Sequence, residues 1–130
     1  MRNDRIFPLL MRIAESSDHL RYQLAAAVVI RGRVISFGYN RMKTDPMQAK
    51  YSVNKERIYM HAEMHAIKNA LRHITVDDLR RATLLVLRTR EDTASGWGMA
   101  KPCEGCMRAI AEFGIKNVKY TNELGLIDTI

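Results

Sequence analysis

Hydrophobic positions along this 130-residue chain fall into short blocks whose spacing switches between helical and extended. Ile6, Leu9, Leu10 and Ile13 recur at i, i+3, i+4 and i+7. That spacing predicts an amphipathic helix, with Asp4 as a candidate cap and Pro8 in its starting turn. Leu24 to Ile30 is apolar on both faces, as a buried strand is. Arg31-Gly32-Arg33 then turns the chain into Val34 to Tyr39, giving a hairpin. Residues 40–59 are polar and aperiodic around Pro46 and read as one long loop. Met60, Met64, Ile67, Leu71 and Ile74 mark the stripe of a second helix, and Thr75 with Asp78 forms a capping-box pattern that opens a short helical turn.

The second half continues the alternation. Ala82 to Leu87 reads as a strand, Arg88 to Lys101 as a loop, and Cys103 to Phe113 as a third helix stopped by Gly114. Ile115 to Tyr120 is a further strand. Asn122 to Gly125 looks like a turn, and Leu126 to Ile130 returns as a short antiparallel strand, because too little chain remains for a crossover helix. The order ββαβαβ, without repeats or linker-like tracts, predicts one domain over residues 1–130. Its expected class is α/β, a three-layer α/β/α domain on a mixed sheet of about five strands.

Composition removes several function classes. At 47% hydrophobic and 27% charged the chain reads as an ordinary globular protein. Its longest apolar run, Leu24 to Ile30, is far short of the roughly 20 residues of a membrane span, and Met1 to Arg5 lacks a signal-peptide pattern. A cytoplasmic protein without membrane partners is expected. The two cysteines stand as Cys103-Glu104-Gly105-Cys106, a spacing of metal or redox chemistry in a reducing compartment.

Charge adds a partner class. The chain carries 21 Lys and Arg against 14 Asp and Glu, a formal +7. Residues 31–57 hold Arg31, Arg33, Arg41, Lys43, Lys50, Lys55 and Arg57 against only Asp45 and Glu56, which is +5 of that excess. Such a band is either a solvated loop or a docking surface for phosphates, and its distance from a reaction centre decides between them.

Two motifs supply that centre. His61-Ala62-Glu63 opens the second helix and Pro102-Cys103-Glu104-Gly105-Cys106 opens the third. One imidazole and two thiolates suit Zn²⁺ and leave a fourth tetrahedral position for water. Pro102 precedes its helix, where a missing N–H costs little. Glu63 falls about 60° from the centre of the apolar stripe at 100° per residue, and a core-facing carboxylate is costly unless it has a partner or a task. Zinc-bound water is both, which casts Glu63 as a proton shuttle between that water and a substrate. A redox pair or half of a structural zinc knuckle are the competing readings of Cys-x-x-Cys; a structural site closes with four protein ligands, and the chain has no third cysteine. His61 and His65 do not form a His-Glu-x-x-His pair, since Glu63 stands midway between them. His65 reads as a packing or outer residue.

His-x-Glu followed by Pro-Cys-x-x-Cys, each at a helix start with a strand between, resembles the zinc-dependent cytidine and deoxycytidylate deaminase superfamily. The resemblance covers nearly the whole chain, and Asn40-Arg41-Met42-Lys43-Thr44-Asp45-Pro46 with Ala100 to Cys106 is reminiscent of its small phage-type branch. It implies a five-stranded mixed sheet, one Zn²⁺ per chain on His61, Cys103 and Cys106, and Glu63 as catalytic acid/base. It also implies that Asn40 contacts the sugar or base and that the backbone of Ala62 borders the base pocket. Members are often oligomers, so a homo-oligomer stays open. The chemistry so implied converts cytosine to uracil, either in a free nucleotide such as dCMP or in single-stranded DNA. The seven cations, with Arg41 and Lys43 nearest Asn40, exceed what one phosphate needs and incline the reading to single-stranded DNA. Tyr59 and Trp97 are candidate stacking platforms for a flanking base, with ordinary packing as the alternative. A non-catalytic nucleic-acid-binding module is the remaining, different class.

Overall fold

The computed structural model describes residues 5–19, 22–51 and 59–130. Asp4, Lys55, Glu56 and Arg57, named above as a cap and as parts of the basic band, lie outside the described residues.

The first strand pair sets the frame. β1 (Gln23–Ile30) and β2 (Arg33–Tyr39) pair antiparallel across Arg31-Gly32, both at positive φ (53° and 76°), the conformation a two-residue hairpin turn requires. β3 (Ala82–Thr89) pairs antiparallel with the other edge of β1, and β5 (Asn117–Thr121) joins β3 in parallel. β6 (Ile127–Thr129) returns antiparallel on β5 across a turn at Asn122 to Gly125, as expected. The strand order is β2-β1-β3-β5-β6. A sixth strand, β4 (Trp97–Gly98), pairs with the end of β3 inside the stretch expected to be loop. Two backbone pairings are enough to form it, and so short a strand leaves no period in the sequence.

Helices cover both faces. α1 (Phe7–Ala14) packs Ile6, Phe7, Leu10 and Ala14 against Ala25, Ala27, Leu85 and Leu87. The expected stripe is rotated by one position: Leu9 is 47% exposed, and Phe7 takes its place. On the opposite face, Ala26, Val28, Leu84 and Val86 meet α3 (Ala62–Ala70) and α4 (Glu104–Glu112) through Ala62, Ala66, Ile67 and Ile110. The three-layer mixed α/β architecture expected from the element order is therefore present. α3 is shorter than its apolar stripe: Met60 precedes it in extended backbone, and Leu71 and Ile74 follow it in a turn that leads to a 3₁₀ segment, Asp77–Arg81. The Thr75 amide donates to Asp78 Oδ2 (3.0 Å) and the Asp78 amide to Thr75 Oγ1 (3.4 Å), the reciprocal cap that the sequence showed.

Residues 40–59 are not one loop. Asp45 Oδ1 accepts from the amides of Met47 (2.9 Å) and Gln48 (3.1 Å) and so caps α2 (Pro46–Tyr51). On either side of it the chain is pinned: Arg41 N donates to Met60 O (2.9 Å), Met60 N donates to Lys43 O (3.0 Å), and Thr44 bridges to Tyr59.

Position Gly38 decides how closely α3 approaches β2. A Cβ there would lie 2.2 Å from Ala66 N, so a side chain would push the helix off the sheet. Ser36 Oγ donates to Ala66 O (2.6 Å) and Asn69 Nδ2 to Phe37 O (2.9 Å), which fixes the helix once it is close.

Candidate metal centre

α3 and α4 follow β2 and β3, two strands that run in the same direction, so both helices begin at the same end of the sheet. Crevices at that end of an α/β sheet are where ligands bind. His61 is the N-cap residue of α3 and Cys103 the N-cap residue of α4, with Cys106 one turn on.

The three side chains meet. His61 Nδ1 is 3.3 Å from Cys106 Sγ and 3.5 Å from Cys103 Sγ, and one donor atom from each residue lies within 4.8 Å of the others. Tetrahedral zinc with Zn–N about 2.0 Å and Zn–S about 2.3 Å sets its ligand atoms roughly 3.5–3.8 Å apart, so spacing and donor chemistry both fit Zn²⁺. The Cys106 amide points at Cys103 Sγ (3.5 Å). Hydrogen bonding from Cys106, joined by His61, holds the Cys103 thiol down to about 3 despite its burial. Cys106 is pushed up by its bond to Cys103 and by its own burial.

Glu63 lies in the first turn of α3 and is 3% exposed. Burial raises its carboxyl above the usual carboxylate range, against the opposing pull of His61 and of its bond to Cys106. The structure thus brings a buried carboxyl against the metal donors. Ala62, fully buried, fills the first helical position between them.

The other expected site residues divide. Asn40 stands at the end of β2, but its Oδ1 accepts from Leu24 N (2.9 Å) and its Nδ2 donates to Tyr22 O (2.5 Å), so it clamps the start of β1. Tyr59 is 42% exposed beside Met60, two residues before His61. Pro102 is buried immediately before Cys103. Trp97 is a correction: its ring packs on Phe7 at 5.8 Å within the α1 cluster, on the sheet face away from α3 and α4. Strand alternation in β4 sends Trp97 to one face and Gly98 to the other. His65 takes the outer role expected of it. Its Nδ1 lies 3.1 Å from the Tyr39 amide and carbonyl, and it is not among the metal donors.

Two residues were missed. Gln48 of α2 is fully buried; its Oε1 accepts from the His61 amide (3.0 Å), and its side chain reaches Cys106. Asp45-Pro46-Met47-Gln48 has the spacing of a capping box with proline in the first turn, a signal that could have found the helix. Arg88 is paired with Leu24 near the end of β3, on the sheet face of Leu84 and Val86. Its guanidinium lies 4.5 Å over the Tyr22 ring, and its Nε is buried without a hydrogen-bond partner among the described residues. Neighbouring Arg90 is bound to Asp92 and Glu123, whereas Arg88 has no ion pair among the described residues. A cavity of about 710 Å³ at this end is lined by Arg88, Thr89 and Arg90 together with Met11 and Glu15, and by none of the metal donors.

A mixed sheet with histidine and two cysteines at the starts of adjacent helices defines a class of zinc-binding α/β domain. The family model for the cytidine and deoxycytidylate deaminase zinc-binding region matches residues 2–122, and the chain belongs to that family. Among solved structures, cytidine deaminase from Burkholderia pseudomallei covers 100% of this chain and 92% of its own, at 18% identity and a TM-score of 0.70. The dCMP deaminase of cyanophage S-TIM5 in apo form covers 92% of this chain and 82% of its own, at 23% identity and a TM-score of 0.62. The same cyanophage enzyme in complex with dCMP and dUMP covers 92% and 80%, at 20% identity and a TM-score of 0.58. Identities this low show a shared fold. No curated protein matches the sequence significantly. No helix among the described residues is long and apolar enough to cross a membrane.

Proposed function

We propose that this chain hydrolytically deaminates the cytosine of a phosphate-bearing deoxycytidine, with dCMP as the first substrate to test. The observation that carries this reading is the buried Glu63 carboxyl set against the His61, Cys103 and Cys106 donors. Bound by those three residues, Zn²⁺ supplies a Lewis acid that brings the pKa of a water to about 7 and so provides a nucleophile at neutral pH.

The chain's own residues do the rest. Glu63 takes up the two protons that the attacking water gives up in turn and passes one to cytosine N3 and the other to the departing amino nitrogen. Water is consumed, and uracil and ammonia leave. Ala62 presents backbone rather than bulk beside the base. Gln48 holds the His61 backbone in place, and Asn40 keeps the start of β1 against the end of β2. Arg88, whose buried Nε has no hydrogen-bond partner among the described residues, is the anchor for the substrate's own phosphate.

The cyanophage structure with dCMP and dUMP favours the free nucleotide. Single-stranded DNA is the second reading, favoured by Arg41 and Lys43 lying on the backbone pinned next to Met60 and His61. Incubation of zinc-loaded protein with dCMP, dCTP, cytidine and a single-stranded oligonucleotide tests both. Release of dUMP from dCMP is expected. An untouched dCMP pool beside a deaminated oligonucleotide would make the strand the substrate, and no turnover of any of the four would leave the non-catalytic module.

A further inference from the structure

Part of the basic band meets the outer face of α3. Arg41 and Lys43, from the segment after β2, line a cavity of about 210 Å³ together with His65 and Lys68 of α3 and Arg72 of the turn that follows it. Asp45 is the one acid in its wall among the described residues, so four cations face a single described carboxylate. That carboxylate is already engaged: Oδ2 accepts from Lys68 Nζ (2.6 Å), and Oδ1 accepts from the amides of Met47 and Gln48. Arg41, Lys43 and Arg72 have no ion pair among the described residues. His65 reports how closely the cations converge. Burial and then Arg41, Arg72 and Lys68 hold its imidazole below the ordinary histidine range, against its bond to Tyr39. Like charges gathered around a concavity whose one described acid is already paired with Lys68 are matched by an anion.

The position of this cavity excludes the reacting nucleotide. At 100° per residue, His65, Lys68 and Asn69 form a stripe about 170° around α3 from Glu63, and Arg72 follows in the turn after the helix. A phosphate among them is therefore across the helix from the carboxyl that marks the reacting base, a separation that rests on the proposed role of Glu63. We propose that the Arg41–Lys43–Lys68–Arg72 cavity binds a second phosphate group, not the one attached to the cytosine being deaminated. Two sources carry that chemistry: a backbone phosphate of a nucleic-acid strand, or the phosphates of a free polyphosphate ligand.

Binding of two cytosine-free probes to the zinc-loaded full chain separates the sources. One is a labelled oligothymidylate followed by anisotropy, the other tripolyphosphate followed by calorimetry. Lys43 and Arg72 are both exposed, so the double variant Lys43→Glu/Arg72→Glu keeps the fold. Exposed Lys116, before β5 at the opposite end of the sheet, supplies the control Lys116→Glu. The double variant is expected to bind at least about tenfold more weakly at low salt, and its salt slope to flatten by roughly 0.7 for each phosphate that it no longer neutralises. Weakening confined to oligothymidylate identifies a strand phosphate; weakening confined to tripolyphosphate identifies a free ligand. The proposal is overturned if wild type binds neither probe, if the double variant binds both as wild type does, or if Lys116→Glu weakens binding equally. Failure of wild type to turn over dCMP would overturn the proposed function alone, because neither probe contains the reacting base.

Discussion

The two sides of α3 solve opposite problems. Toward the core, Glu63 is almost fully buried, and its surroundings are built by motifs contiguous in sequence: His61-Ala62-Glu63 and the Cys103 to Cys106 turn. Toward solvent, Lys68 and Arg72 are joined by Arg41 and Lys43 from a separate stretch of chain, around a cavity that no motif announces. The core side concentrates proton affinity in one carboxyl, where low dielectric makes every partner count. The solvent side spreads positive charge over flexible side chains, where salt screens it. One side suits making and breaking bonds, the other holding an anion loosely. Each can be perturbed without the other, and that independence is what the following changes test.

Removing the core carboxyl has the largest expected effect. Glu63→Ala should lower deamination by at least about a thousandfold, the upper range for loss of a positioned general acid/base. Zinc content should remain at one per chain, since His61, Cys103 and Cys106 are untouched. Oligothymidylate binding at the opposite side should not change. Product formation by chromatography, metal content by elemental analysis and anisotropy read the three quantities on one preparation. Loss of zinc along with turnover would show that Glu63 builds the metal site rather than acting beside it, and the two sides of α3 would then differ less than proposed.

This asymmetry also governs what the sequence disclosed. The donors and Glu63 were legible because helix starts place residues two or three positions apart into one small volume within each motif. The meeting of the two motifs was implied by their donor chemistry and by the family resemblance. The strands were legible because β1 and β3 are buried on both faces and appear as unbroken apolar runs. α2 was missed because its six residues carry no apolar period, although Asp45 and Gln48 gave a capping signal. Trp97 was misplaced because a two-residue strand reveals neither its register nor its face. The basic cavity depends on Arg41 and Arg72 meeting across a fold, and sequence spacing says nothing about such a meeting.

The next effect in size falls on the support of the core side. Gln48 is fully buried and accepts from the His61 amide, so Gln48→Ala should leave that N–H without its partner and loosen the ligand it positions. Zinc affinity is expected to fall by about 10–100-fold, the usual consequence of deleting an outer hydrogen bond to a metal ligand. Competition against a chromophoric chelator measures it. Gln48→Glu retains an acceptor for the His61 amide and should recover part of the affinity. Unchanged affinity in Gln48→Ala would mean that the helix start alone positions His61.

The smallest expected effect links the two sides through Asp45. Burial pushes its carboxyl up, but the Lys68 ammonium and the amides of Gln48 and Met47 outweigh it and hold it below 3.8. A folded value below the unfolded one means that the unfolded chain binds more protons in this range. The resulting stabilisation is complete above 3.8 and disappears as pH falls through the folded value. Asp45→Asn should therefore cost about 1 kcal/mol at neutral pH, the scale of a lost helix cap, and progressively less in acid. Denaturant titrations across the acid range should show the two stability curves converging. A gap that stays constant with pH would assign the stabilisation to the shape of the cap rather than to its charge. The same substitution removes the only acid of the basic cavity among the described residues and so sharpens the contrast between the two sides of α3. Oligothymidylate affinity should rise slightly while zinc content holds, and a fall in zinc content would show that the solvent side reaches the metal centre through α2.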